Sequence, residues 1–186
     1  MFKRIVHPTV EPISIEDLKI QARYSLTDTS QDTLFTRKIK AARTWIERYC
    51  RIAMISQSVE QKYSFFPSCI PLECTSYLDT LVITYKDKND ADQTLASSEY
   101  EIVSQGDMTY VYMIGTMPAI AAKRIYPITV TYNAGFGDAA TDVPADLQEA
   151  VLILATKMEA DRVDPDAAIG LIGHLIHTYK NQYATP

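Results

Sequence analysis

The clearest pattern of apolar and polar positions lies between residues 29 and 51 and has the period of an α-helix. On a helical wheel of about 100° per residue, the apolar side consists of Leu34, Phe35, Ala42, Trp45, Ile46 and Tyr49. The opposite side is basic and consists of Arg37, Lys40, Arg43, Arg48 and Arg51, and the acidic residue Glu47 lies among them. Lys38 falls within the apolar arc, where its stem can pack while its amine reaches water. We expect an amphipathic helix here, with Trp45 in a shared core.

A shorter helix is predicted at "PISIEDL", where local signals mark its beginning. Ser14 is a favourable N-cap, and Asp17 stands where it can close a capping box. Ile13 and Leu18 flank the cap with the spacing of a hydrophobic staple. The helix should run to about Tyr24, and the turn "SLTDTS" should follow it.

Between residues 53 and 133 the helical period gives way to short segments rich in β-branched and aromatic residues. Examples are "LVITYKDK", "TYVYMI" and "YPITVTY", which are separated by Pro, Gly, Asn and Asp. Many of the aromatic residues are tyrosines, which suit half-buried strand faces because the ring packs while the hydroxyl stays in water. This texture predicts an antiparallel β insertion.

Helical periodicity returns between residues 134 and 186. Asp142 is placed to cap a helix in which Pro144 occupies the first turn, where its missing N–H has no partner to lose. Asp164 and Pro165 form a second start signal. The apolar stripe of the first of these helices consists of Leu147, Val151, Leu154 and Met158.

These elements predict an α+β fold in which the N- and C-terminal helices form one bundle and an inserted antiparallel β region projects from it. Residues 1–52 and 134–186 would form the bundle, and residues 53–133 the insertion. The length of 186 residues fits one domain with an insertion, and 47% hydrophobic and 22% charged residues are ordinary for a folded protein. No apolar run approaches the length of roughly 18 residues that a membrane span needs, and no secretory signal is expected.

The segment "YNAGFGDAATDVPADLQEAV", residues 132–151, resembles a phosphate-binding loop because a β-rich run meets two glycines before a helix start. A phosphate loop also needs a Lys–Ser/Thr pair, and a dinucleotide fingerprint needs a third glycine. This segment has neither, and its acids up to Asp146 would repel an anion. We expect the glycines to allow left-handed backbone where a strand leaves the sheet.

Candidate catalytic and metal-binding residues are few. Cys69 and Cys74 are five positions apart and His174 and His177 three apart, but zinc sites favour a shorter cysteine spacing. Cys50 has no patterned base or orienting acid, so no nucleophile is assigned. With no export signal, the three cysteines are expected to be reduced thiols in the cytosol. No metal, cofactor or catalytic set is predicted.

The net charge of −5 is unevenly distributed along the chain. Residues 1–50 contain nine basic and six acidic residues, a net charge of +3, whereas residues 134–186 contain three and eight, a net charge of −5. Complementary ends favour head-to-tail assembly of copies, because a heterologous contact needs two different patches. The alternative is two solvated faces that never meet. A pI near 5.2 argues against a general DNA-binding protein.

Three stretches resemble the head–tail connector (adaptor, head-completion) proteins of long-tailed double-stranded DNA bacteriophages. They are the leader "PTVEPISIEDLKIQARY", the helix and strand "LFTRKIKAARTWIERYCRIAMISQSVEQ", and the strand–turn–helix "ITVTYNAGFGDAATDVPADLQEAVLILATKMEADR". The family's usual "LP-x-P-V" segment is replaced here by "IPLECTSYLDTL". The resemblance therefore covers the first three predicted helices and the ends of the β insertion.

The resemblance implies a structural virion protein, made in the host cytoplasm and placed in the neck. Family members form a ring of typically twelve copies beneath the portal protein, extend the DNA channel and present a surface to the next tail-joining protein. DNA would pass without sequence-specific binding. A small DNA-binding or regulatory α+β protein, or an enzyme, are the alternative functions.

Contacts between copies would join the basic and acidic ends of the chain. We expect the basic face of the second helix to meet a neighbour's acidic residues rather than DNA, because a channel wall must let DNA slide. Arg43 is expected to pair with Asp146 or Glu149 of a neighbour. The candidate subunit or partner interface consists of Arg37, Lys40, Arg43, Asp146, Glu149, Arg162, Tyr179 and Tyr183.

Overall fold

The computed structural model describes residues 2–4, 6, 8–74, 76–106, 108–160 and 169–180. The chain divides into two compact units. The β unit consists of Met1–His7 and Ser56–Gly135, and the helical unit of Pro8–Ile55 and Phe136–Pro186. Each unit is built from stretches that lie far apart in the sequence.

The described part of the helical unit contains α1 (Ile15–Ala22), α2 (Asp32–Cys50), α3 (Ala145–Ala160) and α4 (Ile169–Ile176). The predicted capping box is present at α1, where Asp17 N–H donates to Ser14 Oγ over 3.1 Å and Ser14 N–H donates to the Asp17 carboxylate over 2.9 Å. The helix ends at Arg23, whose φ of 61° is left-handed. The predicted start at Asp164 and Pro165 lies outside the described residues.

The four helices bury their apolar sides in one core. Helix α3 contacts α1, α2 and α4, so N- and C-terminal segments share this core. Its fully buried side chains include Leu18, Phe35, Ile39, Ile46, Leu147, Val151, Leu154, Ile172 and Ile176. The predicted α+β class, a bundle of N- and C-terminal helices with an inserted antiparallel β region, is confirmed.

Two side chains of α2 differ from the pattern that its sequence predicts. Trp45 is half-buried at the edge of the core and stacks on Tyr49, with ring centroids 5.1 Å apart. Lys38 does not direct its amine to water, because Nζ donates to the carbonyl oxygen of Met158 on α3 over 2.8 Å. The centre of the core is formed instead by Ile46, which is completely buried.

The β unit contains two antiparallel sheets. The five-stranded sheet has the order β1-β2-β8-β4-β5, and its strands are Phe2–Arg4, Gln57–Tyr63, Ile128–Ala134, Tyr77–Lys86 and Asp92–Thr94. The three-stranded sheet has the order β3-β7-β6, and its strands are Cys69–Pro71, Met108–Met113 and Tyr100–Gln105. Strand β8 lies at the centre of the larger sheet and buries every second residue. This burial explains why the residue types in its sequence alternate.

Strand β1 is an element that the sequence pattern did not predict. It pairs with β2, with Phe2 opposite Gln61 and Arg4 opposite Val59. A three-residue edge strand is too short to show a period, and its partner lies more than fifty residues away in the sequence. The leader preceding Pro8 therefore belongs to the β unit rather than to the helices.

Candidate interaction surfaces

The exposed side of α2 carries a row of positive charge. Arg37, Lys40, Arg48 and Arg51 are exposed, and we call them the cationic stripe. Arg37 and Arg48 are separated by about 16 Å along the helix axis, at 1.5 Å per residue. None of the four has an acidic partner among the residues that the structure describes. The stripe is therefore available for a partner of opposite charge.

Arg43 is not part of this surface, so its predicted place on the exposed face is wrong. Its side chain is 1% exposed, Nε donates to Glu11 over 2.7 Å, and an Nη donates to Glu47 over 2.8 Å. Burial lowers the pKa of Arg43, but hydrogen bonds and charge from the two glutamates outweigh it and raise the pKa overall. Glu47 also accepts the backbone N–H of Met54 over 3.0 Å.

This cluster explains why a charged side chain can occupy the buried side of α2. Each charge has an opposite charge in contact, and the remaining carboxylate oxygen is hydrogen-bonded. The sequence contains the relevant signal, since Glu47 lies four residues after Arg43, where helix side chains meet. Arg43 is consequently unavailable for a neighbour's Asp146 or Glu149.

Two of the predicted acidic and aromatic interface residues contact each other within the chain. Tyr179 Oη lies 2.8 and 2.9 Å from the two carboxylate oxygens of Asp146, and its ring meets the Phe136 ring edge-on at 6.1 Å. Burial, followed by the hydrogen bond to Asp146, raises the pKa of Tyr179 to about 12. Glu149 is exposed on α3. This contact joins the 3-10 turn that follows α4 to the first turn of α3.

The remaining predicted interface residues fall into two groups. Arg37 and Lys40 are exposed in the cationic stripe, as the pattern of α2 predicts. Arg162 and Tyr183 lie outside the described residues. The interface role of all these residues stays a prediction.

The glycine loop after β8 makes a tight turn. Gly135 has a φ of 152°, which disfavours any other residue, and its N–H donates to Ser76 over 2.6 Å. A Cβ at Gly137 would lie 2.2 Å from a carboxylate oxygen of Asp142. That carboxylate accepts the N–H of Ala139 over 2.9 Å, so Asp142 caps a short 3-10 turn and not α3 as predicted. The two glycines therefore allow the chain to change direction after β8.

The cysteines have the environment of packed thiols. Cys50 and Cys74 are buried, Cys69 is half-buried, and none of these three forms a disulfide. Burial raises the pKa of Cys50 to about 12, which keeps this thiol protonated at neutral pH and removes its nucleophilic form. Across the described ranges, no three His, Cys, Asp or Glu side chains are grouped to hold a metal ion. The same residues contain no helix that is long and apolar enough to cross a membrane.

A polar cleft of about 180 Å³ lies on the five-stranded sheet. Three basic residues are found at it, but each pairs with an acid: Lys62 with Glu60, Lys86 with Asp92, and Arg124 with Asp90, at 3.1, 2.7 and 2.6 Å. Paired cations leave little net charge for an anionic ligand. We therefore interpret the cleft as part of the solvated surface and not as a ligand site.

The fold is similar to that of proteins in gene transfer agent particles. One match is a chain of the neck of an empty particle computed with sixfold symmetry, with a TM-score of 0.82 and 17% identity. A second match is a chain of the native virion, with a TM-score of 0.80 and 18% identity. A third is a chain of the native neck computed with twelvefold symmetry, with a TM-score of 0.74 and 18% identity. Each covers 100% of this chain and 97% of the other. No curated protein matches the sequence.

The sequence itself matches a family profile described as phage gp6-like head-tail connector protein, over residues 12–109. The matched region includes α1, α2 and strands β2 to β6, so it exceeds half of the 186 residues. It confirms the resemblance drawn from the sequence and the prediction of a structural, non-enzymatic protein. The chain belongs to the phage gp6-like head-tail connector family and is a structural protein of the virion, located at the head–tail junction.

Proposed function

We propose that copies of this chain form a ring beneath the portal, extend the DNA channel and present a surface to the next tail-joining protein. Membership of the head-tail connector family carries the proposal. It is supported by the similar folds found in particle necks that were computed with sixfold and twelvefold symmetry. Twelve copies is the number that the family resemblance implies, and DNA would pass through the ring without sequence-specific contacts.

Contacts in a ring are heterologous, so each copy needs two different and complementary surfaces. The cationic stripe supplies positive charge, and the exposed acids around the start of α3 supply negative charge: Asp138, Asp142 and Glu149. Exposed ion pairs contribute only about 0.2–1 kcal/mol each. The ring must therefore also bury apolar and tyrosine surface between copies.

The second candidate partner of the cationic stripe is the DNA in the channel. Unpaired Arg and Lys side chains favour it, because they can release counterions from phosphates. A fixed row of arginines would, however, hold DNA that has to slide. We therefore expect a neighbouring copy to be the partner.

Electron microscopy of the purified protein, alone and mixed with its portal protein, tests the ring directly. The expected result is closed rings with an open centre, which increase in number on the portal. A protein that remains monomeric at high concentration and does not attach to the portal would contradict the proposal.

A further inference from the structure

The loop after β7 presents two apolar side chains to solvent on a restrained backbone. Ile125 is 77% exposed, the largest fraction among the bulky apolar side chains of the described residues, and Tyr126 is 49% exposed. The neighbouring Arg124 donates to both carboxylate oxygens of Asp90, over 2.8 and 2.6 Å. Ala121 N–H donates to the end of β4 over 2.9 Å. We call Lys123, Ile125 and Tyr126 the knob.

The three-stranded sheet is buried at the centre of one face, where the edge residue Ile102 is exposed, and most side chains of the other face are partly or fully exposed. Ile70 and Val111, which are paired across β3 and β7, are fully buried, so side chains that alternate with them point the other way. Tyr110 and Tyr112 lie on that other face, with ring centroids 6.2 Å apart. We call this surface the tyrosine face, and its members are Cys69, Glu101, Val103, Tyr110 and Tyr112.

The knob and the tyrosine face are complementary in chemistry. Each combines apolar or aromatic surface with one charge: Lys123 at the knob and Glu101 on the tyrosine face, both exposed and neither in an ion pair with a described residue. The centre of a protein interface is typically rich in tyrosine and poor in charged residues. Exposed apolar patches mark such contact sites.

We propose that the knob of one copy packs on the tyrosine face of the next copy. This inference rests on the proposed ring and names an apolar contact that joins its subunits. Because the knob and the tyrosine face are different surfaces, the contact is heterologous. An open row of copies therefore has a free knob at one end and a free tyrosine face at the other until the ring closes. Ile125 and Tyr126 would cover the tyrosine rings, and Lys123 would pair with Glu101.

Cysteine cross-linking tests this contact, because the tyrosine face already contains a native thiol. Cys69 is half-buried there, whereas Cys50 and Cys74 are fully buried. Mild oxidation of assembled Ile125→Cys should give a ladder of covalent oligomers on a non-reducing gel. The ladder should vanish with reductant and in Ile125→Cys combined with Cys69→Ser. Ile20→Cys, at a site 64% exposed on α1, is the matched control and should give no ladder.

Charge reversal provides an independent measurement. Lys123→Glu should raise the protein concentration needed for half-maximal ring formation about two- to fivefold, and adding Glu101→Lys should restore part of the loss, because paired charges couple. Normal rings in Lys123→Glu, together with no ladder from Ile125→Cys, would overturn this contact and leave the proposed ring in place. Absence of rings from the wild-type protein would overturn the proposed function and the contact with it.

Discussion

Arg43 and Glu47 are each about 1% exposed and pair one helical turn apart inside the helical unit. Removing one partner of such a pair leaves the other charge buried without compensation. We therefore expect Arg43→Ala to lower the free energy of unfolding by about 3–5 kcal/mol. Urea denaturation followed by circular dichroism measures this change.

Arg48→Ala is the matched control, because Arg48 is an exposed arginine on the same helix. Its effect should stay within about 0.5 kcal/mol. Equal, small effects of the two substitutions would show that the Arg43 pair is not buried in solution. The same comparison separates the buried arginine of α2 from the cationic stripe.

The Tyr179 hydroxyl connects α4 to α3 through Asp146 and loses this role at alkaline pH. Tyr179→Phe should cost about 1.5–3 kcal/mol at neutral pH, the range for a hydrogen bond to a charged group. The folded-state pKa of about 12 exceeds the ordinary tyrosine pKa of 10.0, so the contribution is complete below pH 10 and disappears as the pH rises to 12.

Unfolding experiments on wild type and Tyr179→Phe at several pH values between 7 and 12 measure that loss. The stability difference between the two proteins should shrink across the upper part of this range. Tyr126→Phe, at an exposed tyrosine, should match wild type throughout. A difference between wild type and Tyr179→Phe that stayed constant with pH would exclude the hydrogen bond to Asp146.

At the scale of secondary structure, the cationic stripe of α2 is the surface whose partner can be identified by charge. Arg37→Glu combined with Lys40→Glu should weaken ring assembly at low salt, with a smaller effect at high salt, because exposed charges are screened. Adding Glu149→Lys should restore part of the assembly if α3 of a neighbour is the partner. Sedimentation velocity at two salt concentrations measures both effects.

The control for this pair of reversals exchanges the two basic residues, Arg37→Lys with Lys40→Arg, and keeps the charge. It should assemble as wild type does. If the reversals leave assembly intact but abolish retention of duplex DNA in a mobility-shift gel, the stripe contacts the channel's DNA instead. If they change neither property, the stripe has no role in the neck.

Elements whose signals are local could be predicted from the sequence. Ser14 and Asp17 determine the start of α1, and the periodic apolar positions of α2 determine which side packs. Strand β1 could not be predicted in this way, because its partner β2 is brought near only by the fold. The Arg43–Glu47 pair has a local signal in its four-residue spacing, but the burial of Arg43 also depends on Glu11, which the fold brings near. The knob was missed for the same reason, since sequence alone does not show that Ile125 stays exposed.

On the scale of the whole molecule, the division into two units is itself testable. The described core of the helical unit contains only its own residues, and Phe136 N–H donates to the Met54 carbonyl over 3.0 Å. The chain thus leaves and re-enters the helical unit at adjacent points. A flexible linker of about four residues can span such a short gap. We propose that the helical unit folds without the β unit.

The corresponding variant lacks residues 1–7 and carries a Gly-Ser linker in place of Ser56–Gly135. It should show helical circular dichroism and a cooperative thermal transition, because the four helices keep their shared core. It should not form rings, since the knob and the tyrosine face both belong to the β unit that has been removed. An unfolded product would show that the helices need the β unit. A folded product that still forms rings would assign ring closure to the helical unit, and the cationic stripe with the acids of α3 would then be its sufficient contact.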